Sequence, residues 1–423
     1  VLLLASFLAA GCATGGVRWE KDDYKIWKGR FKRGDTELTL NAFHIPSLGV
    51  NGTEVDVVAP ALAHIGEMGG NTVAIDLAGF NADGTALDPV SIATVQSLAE
   101  RTKDQRMALI VRVLADRTDP SFRANATVTA ANALSVERKA LYWFDGPDAA
   151  HLAKIFKLHA PALLVAAPAN GELRTVTAVP AEGLGVLDIL VGKLPSAKVH
   201  ETHFIVASTP ENYTALDEAV INYAAQQPWT PDNSVLSEAE RNEGFIALFN
   251  GKNLDGWWYW GDNHDTFKVN EQGEIEFVAT GGAALMSRDR YGDFILRVEY
   301  VLEAAAGNSG IFLRAPRAGR QSYIGMEFQL HGDHLAPVGD DMTGAIYLQQ
   351  PPLVNAGNPP GEWNSLEIIC QGSMLKATLN GQVVQDIDLS THPELKHRIR
   401  RGFIGLQDHH DPVRFRNVRI KPL

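Results

Sequence analysis

The sequence predicts a two-domain protein, an α/β domain followed by an all-β sandwich, and three observations carry that expectation. Between Thr36 and about Ala225, short apolar runs alternate with amphipathic helical stretches, the pattern of a largely parallel sheet with crossover helices. From Gly244 to Leu423 the period changes to strict apolar–polar alternation, punctuated by Asp255-Gly256, Gly281-Gly282 and Asn380-Gly381. At 423 residues the chain is also too long for one ordinary core.

Residues 1–24 read as a lipoprotein signal and tether. The apolar run Val1–Ala10 is too short to span a bilayer and fits a signal-peptide core. Leu8-Ala-Ala-Gly-Cys12 resembles a bacterial lipobox, in which the cysteine thiol is acylated. Ala13 lacks the acidic character that retains lipoproteins at the inner membrane, so the expected location is the cell envelope, anchored through Cys12 in the outer membrane and facing the periplasm or surface. The other cysteine, Cys370, lies in Leu366-Glu-Ile-Ile-Cys370 and reads as a buried strand residue.

Residues 25–225 form the expected α/β domain. Its candidate strands are Leu38–His44, Thr72–Leu77, Met107–Leu114, Ala140–Phe144, Leu163–Ala167, Val186–Val191 and His203–Ala207. Asp88-Pro89 starts a helix running to Lys103, Asp145-Gly-Pro-Asp148 precedes Ala149–His159, and Ser208-Thr-Pro-Glu211 precedes a helix ending near Ala225. Seven strands are slightly few for an eightfold barrel, which favours a reduced or degenerate (β/α) barrel over a doubly wound sheet. Residues 226–243, with Pro228, Pro231 and a charged run, read as the linker. Residues 244–423 then read as a two-sheet sandwich or jelly roll.

A net charge of −12 argues against a nucleic-acid partner. No Gly-rich phosphate loop appears, so no nucleotide cofactor is expected.

Four blocks carry a family resemblance. They are Leu248-Phe-Asn-Gly-Lys-Asn-Leu-Asp-Gly-Trp257, Gly307-Asn-Ser-Gly-Ile-Phe-Leu-Arg314, Tyr323-Ile-Gly-Met-Glu-Phe-Gln-Leu330 and the stretch from Gly405 to Ile420, supported by Thr343-Gly-Ala-Ile-Tyr347 and Gly361-Glu-Trp-Asn364. In order and spacing they resemble the 3-keto-disaccharide hydrolase family. That resemblance implies a concanavalin-like jelly roll and cleavage of glycosides already oxidised to a ketone at sugar C3. Two departures stand out: Met342 replaces a polar residue frequent in the family, and His410 stands where many members carry Gly. The implied chemistry is removal of the acidified C2 proton, elimination of the C1 leaving group and addition of water at C1. It needs a base, an enolate stabiliser and an acid.

Within this domain, period two puts Met326, Phe328 and Leu330 on one strand face and Glu327, Gln329 and His331 on the other. On a concave sheet the polar set would line a sugar groove, with Glu327 as the catalytic base or acid and Gln329 and His331 binding substrate. Arg314 suits an enolate or ketone oxygen, and a cross-strand ion pair with a carboxylate such as Glu327 is a compatible alternative. Asp408 and His409, in the cluster Asp408-His-His-Asp411, would complete proton transfer, with a turn held by aspartates as the alternative. His beside carboxylate also suits a divalent metal, although no fixed ligand spacing marks one. The cluster His331, Asp333 and His334 matters if it meets Asp408–Asp411 in space. Of the consecutive aromatics Trp257, Trp258, Tyr259 and Trp260, alternate rings should be core and the others free to stack on sugar; Trp257 and Trp363 are the candidates.

In the α/β domain, polar residues at strand ends are the functional candidates: His44, Asp76, Asp116, Asp145 and Asp188. No pair of carboxylates suited to glycosidase chemistry stands out among them. Three readings remain open at this stage: catalysis in the β-domain groove, a lectin-like groove that binds saccharide without turnover, and catalysis in the N-terminal domain.

Overall fold

The structure is a computed structural model. It describes residues 24–27, 30–33, 36–37, 40–45, 48–67, 70–114, 117–144, 146–168, 174–178, 185–191, 204–207, 229–260, 266–277 and 283–423. Cys12, Asp116, Asp145, the Gly281-Gly282 turn and the helix expected after Ser208 lie outside these residues. Contacts divide the chain into two compact units, residues 1–58 with 71–215 and residues 59–70 with 216–423.

The first unit begins with a small antiparallel sheet of β1 (Tyr24–Trp27), β2 (Arg30–Arg33) and β3 (Thr36–Glu37). Its main strands are β4 (Leu40–His44), β5 (Thr72–Asp76), β6 (Ala108–Arg112), β7 (Leu141–Trp143), β8 (Leu164–Pro168), β9 (Arg174–Ala178), β10 (Gly185–Val191) and β11 (Phe204–Ala207). They pair in the order β10, β11, β4, β5, β6, β7, β8, β9, and β9 returns to β10. Every pairing is parallel except the two made by β9. The seven expected strands are all present, and β9 is the additional one.

Helices α1 (Val55–Glu67), α2 (Pro89–Asp104), α3 (Pro120–Ala133) and α4 (Ala149–His159) separate the early strands. Local chemistry fixes two of the starts. Asp88 Oδ1 accepts from Ser91 N at 2.8 Å and Asp119 Oδ1 from Phe122 N at 2.7 Å, each with proline at the first helical position. Asp148 makes no such cap; its carboxylate receives Arg123 Nε at 2.9 Å instead. The first four residues of β5 and of β6 are buried, as parallel strands covered on both faces should be. Asp188 lies in the middle of β10, opposite Thr175, and so is not the strand-end residue expected from sequence.

Within the expected linker, Glu238–Glu243 forms a short helix closed by a reciprocal cap between Ser237 and Glu240. The second unit then pairs two antiparallel sheets. The larger consists of β12 (Ile246–Ala247), β14 (Phe267–Val269), β15 (Ile275–Phe277), β17 (Phe294–Leu302), β20 (Asn364–Gln371), β21 (Met374–Leu379), β22 (Gln382–Asp388) and β24 (Val413–Pro422). The smaller is ordered β13 (Trp257–Trp260), β16 (Ala284–Tyr291), β23 (Gly402–Gln407), β18 (Asn308–Ala315) and β19 (Met326–His331). Asn380 and Gly381 turn β21 into β22 with φ of 50° and 81°, the left-handed pair of a tight hairpin.

The core lies between the sheets. Phe294, Leu296, Val298 and Tyr300 from the larger sheet meet Ile311, Leu313, Met326, Phe328 and Leu330 from the smaller. Each fully buried aromatic side chain stabilises the sandwich by about 2–3 kcal/mol. Cys370 is part of this core, and burial pushes its thiol up to about 12, which keeps it protonated and unreactive. Among the described residues no helix is long and apolar enough to cross a membrane.

Candidate active site on the smaller sheet

Met326, Phe328 and Leu330 point into the core, so Glu327, Gln329 and His331 stand on the opposite face, the alternation expected from sequence. Register carries that face across the sheet. Glu327 lies opposite Phe312, Phe312 opposite Gly405, Gly405 opposite Met286 and Met286 opposite Trp258. One step along, Gln329 faces Gly310 and Gln407 faces Ala284, which faces Trp260. The face is therefore polar at its β19 end. Toward β13 it is apolar, where Ala284, Met286, Phe312, Ala315 and Phe403 form a second cluster with Trp258 and Trp260 against it.

Gly310 gives the polar end its room. A Cβ there would collide with Oε1 of Glu327, so the carboxylate lies over the glycine. Glu327 is only 3% exposed. Gln329 is fully buried, and its Nε2 donates to Asn308 Oδ1 at 3.1 Å. Three atoms around this spot are shielded from solvent and have no hydrogen-bond partner among the described residues: Oε1 of Gln329, Oε1 of Gln407 and Nδ1 of His331. A buried polar atom left so costs about 1–3 kcal/mol, a deficit that a hydroxyl-bearing ligand can relieve.

One member of each His–Asp cluster borders Asn308, whereas Asp333 and His334 engage Thr343 N and Gly357 O. In register Asn308 lies opposite His331, and its backbone N–H donates to Asp411 Oδ2 at 2.9 Å. Asp408 is buried and accepts from His410 N at 3.0 Å. His410 adopts φ of 73°, a left-handed conformation that favours the glycine frequent at this position in the resembling family. His409 and His410 are both exposed on the loop. Near Glu327 stands Tyr347, half-buried. Burial raises its phenol pKa first, the charge of Glu327 adds to this, and Arg320 works against it. Arg320 in turn stacks on Tyr323 at 3.9 Å.

Three expected site residues stand elsewhere. Arg314 is fully buried at a register irregularity between Phe312 and Ala315, with φ of 49°. That turn breaks the strand alternation and directs the guanidinium to Gly292 O at 2.8 Å, Gly372 O at 3.1 Å and Asp293 Oδ1 at 3.2 Å. Trp257 belongs to the sandwich core, whereas Trp258 and Trp260 occupy the other face. Trp363 packs against arginines of the larger sheet, with Arg416 at 3.9 Å and Arg414 at 5.4 Å from its ring. Sequence reasoning also missed Asn308, Arg320, Tyr347 and Gln407. Asn308, Tyr347 and Gln407 sit inside the quoted blocks, so position in those motifs was the available signal; Arg320 has none.

Among the described residues no three His, Cys, Asp or Glu side chains gather as a metal-ligand group.

The family model of the 3-keto-alpha-glucoside-1,2-lyase-like domain matches residues 244–421. A 3-keto-disaccharide hydrolase of Bacteroides thetaiotaomicron is 28% identical over 268 residues, covering 51% of this chain and 91% of that protein. A provisionally assigned glycosyl hydrolase of Parabacteroides distasonis, known from a crystal structure, is 28% identical at a TM-score of 0.40, covering 45% of this chain and 98% of its own. A β-glucanase of Bacillus licheniformis is 12% identical at a TM-score of 0.29, covering 40% of this chain and 92% of its own.

Proposed function

From the match of residues 244–421 to the 3-keto-alpha-glucoside-1,2-lyase-like domain model and the likeness to a 3-keto-disaccharide hydrolase, we infer that this protein cleaves 3-keto-glycosides or 3-keto-disaccharides on the polar end of its smaller sheet. The observation that carries the reading is the grouping around Gly310 of a buried carboxylate, Glu327, with three shielded and unmatched polar atoms. A sugar ring with a ketone and several hydroxyls supplies partners of the required kind.

In this reading Glu327 removes the C2 proton, and its carboxylate takes up that proton. The C2–H electron pair passes onto the C3 oxygen as an enolate; the C3 carbonyl then re-forms, the C1–C2 double bond forms as the C1–O bond breaks, and the leaving oxygen gains a proton. Water then adds at C1 and C2 is reprotonated, so the sum is hydrolysis. Tyr347 keeps its phenol proton under burial and the Glu327 charge, and it is our candidate donor to the developing enolate oxygen, with Arg320 as the nearby cation. Gln329, Gln407 and His331 hold hydroxyls. Asp408 shapes the loop that carries His409.

The test is incubation of the full chain with a 3-keto-disaccharide in deuterated water. Sugar release with deuterium at C2 of the product is expected. Release without C2 deuterium rejects the elimination route, and saturable binding without release converts the groove to a lectin-like one.

We also propose that the pairing ring of β4–β11 is a reduced (β/α) barrel in which antiparallel β9 stands in for a βα unit. For localisation, the lipobox-like Leu8–Cys12 supports an envelope lipoprotein. Cells fed an alkyne fatty acid should label the wild type and not Cys12→Ser; equal labelling of both removes the anchor.

A further inference from the structure

The first unit carries a second polar cluster, where three adjacent parallel strands end. His44 closes β4, Asp76 closes β5 and Arg112 closes β6, with Asp76 and Arg112 directly opposite in register. His44 Nε2 lies 2.9 Å from Asp76 Oδ1, Arg112 Nη1 donates to the same oxygen at 2.9 Å, and Arg112 Nη1 also lies 3.2 Å from His44 Nε2. The three side chains are 13%, 22% and 19% exposed, so the cluster is enclosed yet reached by solvent. Burial works against the Asp76 charge, but His44 and Arg112 outweigh it and hold the carboxyl below its usual range.

One oxygen of Asp76 is thus engaged by both neighbours. The other, Oδ2, makes no hydrogen bond among the described residues. It is an ionised acceptor held rigidly by the locked Oδ1, at the strand end where parallel α/β units bind ligands. Its neighbours decide what it accepts from. A cationic ligand meets the Arg112 guanidinium, an anionic one meets the carboxylate itself, and a neutral hydroxyl donor meets neither penalty. We propose that the ends of β4, β5 and β6 form a second saccharide site, separate from the β-sandwich groove, in which Asp76 Oδ2 receives a hydroxyl of a neutral glycoside.

The test uses the full chain labelled with ¹⁵N-histidine and titrated with methyl glucoside, the His44 imidazole signals being assigned by their absence in His44→Gln. The His44 signals should shift saturably. They should shift less with the corresponding uronic acid or amino sugar at equal concentration. In Asp76→Asn, affinity read at other protein signals from the first unit should fall by at least about tenfold, the worth of one hydrogen bond to a charged group. Unmoved His44 signals in the wild type overturn the proposal, as does a stronger response to the charged sugars. The wild-type titration decides by itself, so misfolding of Asp76→Asn would not change the outcome.

Discussion

Glu327→Gln should lower kcat for a 3-keto-disaccharide by about 10³-fold while leaving KM within a few-fold, the signature of lost proton transfer with retained binding. Gln has the shape of Glu and fits the same space over Gly310, so the sandwich should keep its melting temperature. What disappears is the negative oxygen that receives the C2 proton. Deuterium exchange at C2 should fall in parallel with sugar release, because both pass through that one transfer. A folded Glu327→Gln protein that retains more than about a third of wild-type kcat would remove Glu327 as the base and move attention to Asp408 and the histidine loop.

That prediction depends on a feature written openly in the sequence. Met326-Glu-Phe-Gln-Leu-His331 alternates without interruption, and a strand of period two can bury only one of its two sets. Six residues were enough to separate core from groove. The same rule stated that two of the rings from Trp257 to Trp260 would be core, and Trp257 and Tyr259 are the pair packed there. Which pair turns inward was not legible, since all four are aromatic and only the pairing with β16 decides it. The Asp88-Pro89 helix start was legible because the capping bond is local, spanning three residues from Asp88 to Ser91. The antiparallel β9 was not, because Arg174–Ala178 is short and its direction follows from neighbours distant in sequence. The cluster at Asp76 was half legible. His44 and Asp76 were marked as strand ends, but the apolar run Met107–Leu114 continues past Arg112 and hid the residue that ends β6.

Arg314 shows the opposite failure, and it sets up the second large effect. Arg314→Met should destabilise the β-sandwich by about 3 kcal/mol and leave kcat and KM unchanged at temperatures where the protein is folded. The guanidinium is fully buried and donates to two backbone carbonyls, Gly292 O and Gly372 O, as well as to Asp293. Methionine fills much of the volume but supplies no donor, so both carbonyls lose a partner. Asp293 is 41% exposed and water largely replaces its share, which is why the cost is assigned to the carbonyls rather than to the ion pair. Asp293 Oδ1 also accepts from Gly372 N at 2.9 Å, so this one arginine ties the turn before β17 to the turn after β20. Urea unfolding followed by tryptophan fluorescence gives the stability change, and initial rates on a 3-keto-disaccharide give the kinetic one. An unchanged unfolding midpoint together with a tenfold rise in KM would return Arg314 to the substrate. The residue's backbone φ of 49° argues for the structural outcome, because the irregularity that turns this side chain away from Glu327 is the same one that aims it at those carbonyls.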